Sequence, residues 1–137
     1  MIKRSVLALV AIFSMLFVTV AFAANGNAAK EISMAEMHAT FASTVKDVNM
    51  VHAHLHHTLN CLVGPKGKLF DPKAMDPCKG MGNGALSDLG KAPKVRAKLE
   101  MAIKHAERGL RADKYATAHA AAVRTAALVK AASAMMK

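Results

Sequence analysis

The chain has 137 residues, with 19 Lys and Arg against 9 Asp and Glu for a formal net charge of +10, no Trp and a single Tyr. That length supports one small domain, and so few aromatic rings argue against a module that stacks nucleic-acid bases. Two cysteines with no Cys-x-x-Cys-His exclude covalent c-type haem, and no His-Glu-x-x-His is present.

Lys3 and Arg4 precede an apolar run from Val6 to Val20 that is interrupted by Ser14 and Thr19, and Ala21-Phe22-Ala23 supplies a small-x-small cleavage pattern. Residues 1–23 therefore read as a cleaved secretory signal peptide, because the run falls short of the roughly 20 residues that a membrane span needs. The expected product is a periplasmic protein of residues 24–137, a single helical domain. Lys3 and Arg4 contribute only two of the net positive charges, so this domain stays strongly basic.

Residues 24–30 read as a disordered lead-in. From about 31 to 62, Met34, Met37, Phe41, Val45, Val48, His52, Leu55, Leu59 and Leu62 recur at steps of three and four. This spacing predicts one long amphipathic helix, stopped by Gly64-Pro65.

Residues 64–93 hold all four prolines (Pro65, Pro72, Pro77, Pro93) and six of the eight glycines. They form a loop too long to lie structureless in a small domain unless something ties it down. An oxidising compartment and an even cysteine count predict a disulfide between Cys61 and Cys78 that pins this loop. Such a closure stabilises by roughly 3 kcal/mol in the chain-entropy picture. Gly80-Met81-Gly82-Asn83-Gly84 lacks the Lys-Ser/Thr ending of a phosphate loop and follows no strand, so it reads as a flexible turn.

Pro93 suits the first turn of a second helix over 93–111, with Val95, Leu99, Ala102, Ile103, Ala106 and Leu110 on its apolar face. A third helix is predicted over 113–136, capped by Asp113, with Tyr115, Ala118, Ala122, Thr125, Val129, Ala132 and Met136 facing inward. The expected fold is all-α: a three-helix bundle with a long Gly/Pro-rich, disulfide-pinned loop between its first and second helices.

The residues that carry chemistry are concentrated at the end of the first predicted helix. Four of the seven histidines, His52, His54, His56 and His57, fall within six residues, bracketed by Met50 and Cys61. Imidazole and thioether are donors for copper and zinc, so these four histidines and Met50 form the first candidate metal site. On a helix, His52 and His56 share one face as an i, i+4 pair, while Met50, His54, His57 and Cys61 share another. His38, His105 and His119 make a second candidate site, because the last two are equidistant from the predicted turn at residue 112. Methionine at helical spacing also fills cores, and Met34, Met37 and Met136 lie on predicted apolar faces.

A Cys61–His57 pair lacks a third, orienting acid, so no enzyme chemistry is expected. The exported, His- and Met-rich, aromatic-poor helical character is similar in kind to small periplasmic metal-binding proteins, a likeness of composition that carries no residues over. The leading expectation is a small periplasmic protein that binds a transition metal through this His-rich helix end, copper favoured and zinc next, for buffering or delivery. The alternative is a disulfide-stapled basic protein whose Lys91, Lys94, Arg96, Lys98, Lys104, Arg108, Arg111 and Lys114 meet an anionic envelope surface or a protein partner. Nucleic acid is not an expected partner in either reading.

Overall fold

A computed structural model describes residues 25–137; the leader read at 1–23, with its cleavage point before Ala24, lies outside the described residues. Five helices follow one another: α1 Asn25–Ala42, α2 Val48–Val63, the one-turn α3 Ala85–Asp88, α4 Pro93–Leu110 and α5 Tyr115–Ala134. No strand occurs among the described residues, so the fold is all-α. No described helix is long and apolar enough to cross a membrane.

The largest departure from expectation lies in the first helix. The segment 31–62 is two helices, because the chain reverses at Ser43–Asp47. Ser43 and Thr44 turn their hydroxyls back onto the carbonyls of Thr40 and Phe41, which competes with continuing the helical ladder. Asp47 then sits in an extended conformation and accepts the Met50 N–H at 3.0 Å, a standard N-cap for α2. Carbonyls freed by the turn are met from α5: the Tyr115 hydroxyl donates to Val45 O at 3.1 Å, and His119 Nε2 donates to Ser43 O at 2.9 Å. Removing the cap with Asp47→Ala should lower stability by about 1 kcal/mol in urea unfolding. An unchanged midpoint would mean that Tyr115 and His119 hold the turn unaided.

The stretch read as a lead-in is helical from Asn25, and the reason is an alanine-lined face. Ala28, Ile32, Ala35, Ala39 and Ala42 are fully buried, whereas Met37 and Phe41, read as core, are about half exposed. Small side chains let the helix axes approach closely and leave the larger ones outside. α5 does the same with Ala118, Ala121, Ala122, Thr125, Val129 and Ala132. Its N-cap is Lys114 without a side-chain cap, rather than Asp113.

Two contacts set the topology. His52, near the start of α2, reaches Gly109 and Ala112 at the end of α4. His119, near the start of α5, reaches Ser43 just past the end of α1. α2 therefore runs antiparallel to α4, and α5 antiparallel to α1. With packed neighbours α1–α2, α2–α4, α4–α5 and α5–α1, the four long helices make an up-down-up-down bundle rather than three helices.

The loop after α2 is organised, and it contains α3. The Cys61–Cys78 disulfide is present, with Cα atoms 5.1 Å apart. Buried Asn60 does as much by hydrogen bonding: its Nδ2 donates to Asp71 O and Met75 O, and its Oδ1 accepts the Asp71 N–H at 2.9 Å. Where the loop leaves and returns, Gly64 (φ 67°) and Gly84 (φ 99°) cross backbone to backbone. A Cβ on either would strike the other strand of the crossing, so only glycine fits there.

Candidate metal centre

The reversal at 43–47 has a chemical consequence. It folds α1 back along α2 and sets His38, four residues before the end of α1, against His54 and His57 on the second and third turns of α2. His54 and His57 are spaced i, i+3, so both rings rise on the same ridge. The three rings meet through the same atom. His38 Nδ1 lies 3.2 Å from His54 Nδ1 and 3.3 Å from His57 Nδ1. Ring centroids are 5.4, 4.9 and 5.5 Å apart for the pairs 38–54, 38–57 and 54–57, nearly an equilateral triangle.

Hydrogen bonding alone does not account for this geometry. Each ring nitrogen offers one in-plane hydrogen or one lone pair, so His38 Nδ1 satisfies one neighbour at a time. A cation at the centre satisfies all three. Zinc-like ligation at 2.0–2.1 Å with tetrahedral angles places nitrogens about 3.3 Å apart, whereas cis positions of a square plane are about 2.9 Å apart. The two separations from His38, 3.2 and 3.3 Å, therefore match a tetrahedral edge better than a square-planar one.

The rings are also held in the protonation state a metal requires. Burial, reinforced by the neighbouring His57 and His54, pushes the His38 pKa down to about 4. His54 is lowered by burial, and His57 by burial and then by His54 and His56. All three are neutral at pH 7, so protons compete little for the nitrogens. Phe41 walls the cluster, its ring centroid 5.3 Å from that of His54 and 5.9 Å from that of His38.

The other residues singled out in the sequence go elsewhere. His52 shares its Nε2–H between the carbonyls of Gly109 and Ala112, both at 3.1 Å, and so closes the turn between α4 and α5. His56 lies 3.4 Å from Asp71 Oδ2, against the loop. Met50 stands half exposed one turn before His54. His105 lines a groove between α4 and α5. His119 stacks on Tyr115 and donates to Ser43 O. The three-residue cluster thus takes His54 and His57 from the first candidate site and His38 from the second. Sequence spacing could not join them, because the joining turn carries neither Gly nor Pro.

Among the described residues this is the one group of three metal-ligating side chains whose donor atoms lie within 4.8 Å of one another. No family model, curated protein or solved structure matched the chain in the comparisons made with each.

Proposed function

We propose that this is an exported, non-enzymatic protein that binds a tetrahedral d10 metal ion, Cu(I) or Zn(II), through the Nδ1 atoms of His38, His54 and His57. The convergence of three imidazoles, with His38 Nδ1 at tetrahedral-edge distance from both His54 Nδ1 and His57 Nδ1 and all three donor atoms within 4.8 Å of one another, is the observation that carries this reading. Copper is favoured because Met50 stands one helical turn from His54 and can bring a thioether to the open fourth position. The expected site of action is the periplasm, where the leader read at 1–23 would deliver the chain.

Buffering or delivery suits the site better than permanent storage. None of the three rings has a hydrogen-bond partner outside the trio among the described residues. Ligating histidines are usually oriented by a carboxylate or carbonyl on the other nitrogen, and losing such support weakens binding by about 10- to 100-fold. A three-imidazole site without it should exchange its ion readily.

The test is a titration of the metal-free, disulfide-intact protein with Cu(I) and with Zn(II) against a chromophoric chelator. The expected result is one equivalent bound with a dissociation constant well below 1 μM, and X-ray absorption showing three nitrogen neighbours. Several equivalents bound only weakly would overturn the proposal.

A further inference from the structure

On the opposite side of the bundle from the histidine trio, α4 and α5 leave a groove of about 440 Å³ between them. His105 and Arg108 line it from α4 at i, i+3 spacing. Thr117, Ala120, Ala121 and Arg124 line it from α5, where residues 117, 121 and 124 fall on one face. Ala120 and Ala121 are too small to fill the space between the helices, so the groove stays open with cationic and hydroxyl groups around its rim.

The charges in this groove are unbalanced. No carboxylate lines it. Among the described residues the one arginine within 4.0 Å of a carboxylate is Arg111, beside Glu107, so neither Arg108 nor Arg124 has an acidic partner. The side chains of His105, Arg108, Thr117 and Arg124 make no hydrogen bond within the described protein. Two unpaired guanidiniums on one groove repel each other, and an anion between them would turn that repulsion into two attractions. Guanidinium forks match the paired oxygens of a phosphoryl group, while Thr117 and His105 add single contacts.

We infer that the α4–α5 groove binds a phosphoryl group through Arg108 and Arg124, with His105 and Thr117 completing the contact. The volume exceeds what a bare phosphate fills and leaves room for an organic substituent. The shared chemistry covers free inorganic phosphate and the phosphate of an anionic lipid headgroup. This inference is independent of the metal reading, since it uses different helices and none of the same side chains.

Two arms distinguish the sources: calorimetric titration of the protein with inorganic phosphate, and co-sedimentation with phosphatidylglycerol against phosphatidylcholine vesicles. The double variant Arg108→Ala/Arg124→Ala should bind about tenfold more weakly in the productive arm. Lys91→Ala/Lys94→Ala, which removes the same charge from exposed positions outside the groove, should bind as wild type does. Arg108→Lys/Arg124→Lys keeps charge and fold but loses the forks, and should fall below wild type. Saturable phosphate binding with this pattern assigns the groove to a free phosphate, and the same pattern on phosphatidylglycerol vesicles alone assigns it to a headgroup. Equal losses in the two alanine double variants, or no binding in either arm, overturn the inference.

Discussion

Replacing His38 by alanine should weaken metal binding at least about 100-fold, even though His38 lies outside the histidine-rich stretch of α2. Two imidazoles on one helix, His54 and His57, would remain, and they make a poor chelate without the third edge of the triangle. The fold should survive, because His38 is only partly buried and its hydrogen-bonding contacts are to the other two ligands. His52→Ala should show the converse. Its Nε2–H serves the Gly109 and Ala112 carbonyls, so the variant loses stability and keeps its metal affinity. The pair of variants separates a built three-nitrogen site from a diffuse histidine-rich helix end. Competition titrations and thermal unfolding of both variants decide between them. If His52, His54, His56 and His57 each lower affinity equally and His38→Ala does nothing, the trio is not the site.

That contrast also shows where the sequence was legible. The bounds of α4 and α5 follow from Pro93, the 3–4 apolar stepping and the break at 111–113, and the structure departs from them by a residue or two. The disulfide follows from the even cysteine count and from the oxidising compartment that the leader sequence predicts. The turn at 43–47 was hidden because its signals are polar and ordinary. Ser43, Thr44 and Asp47 resemble surface residues of a helix, and Phe41, Val45 and Val48 carry the apolar rhythm straight across them. What stabilises the reversal comes from Tyr115 and His119, about seventy residues away, and no local window contains them. The alanine face of α1 was missed for a related reason. Met37 and Phe41 outweigh Ala35 and Ala39 on any hydropathy count, yet only the small residues allow the close crossing. Two of the three candidate ligands, His54 and His57, could be seen from their spacing, and the third, His38, depended on a fold contact.

The second large effect concerns Glu31, which the sequence did not mark at all. It lies on α1, 1% exposed, facing the crossing of the loop. Its Oε1 accepts the Gly84 N–H at 3.0 Å, while its Oε2 is buried with no hydrogen-bond donor beside it. Beside it, on the same side of Gly82, lies the Asp88 carboxylate, which accepts the Asn83 N–H at 2.9 Å. Burial, opposed by the Gly84 hydrogen bond and reinforced by Asp88 and Asp76, raises the Glu31 pKa from 4.5 to about 7. A protonated Glu31 can hydrogen-bond to the Asp88 carboxylate, and its buried carboxyl then carries no charge. Because the folded state holds this proton more tightly than the unfolded chain, the stabilisation is complete below pH 4.5 and is lost as pH rises through about 7. The shift corresponds to roughly 3 kcal/mol across that window. His38, His54 and His57 have depressed values and act in the opposite sense, losing stability as pH falls below the ordinary imidazole range. The comparison must therefore be a difference between two proteins that share them. Glu31→Gln keeps the acceptor for Gly84 and a permanent donor toward Asp88, and it cannot ionise. Urea unfolding of wild type and Glu31→Gln from pH 4.5 to 8 should show the variant gaining on wild type by about 3 kcal/mol, most steeply between about pH 5 and 6.5 and levelling off above about pH 7. Parallel stability curves would mean that Glu31 is ionised throughout and that its second oxygen finds a donor in solution. The predicted divergence would identify the return of the loop onto α1 as a contact held by a shared proton.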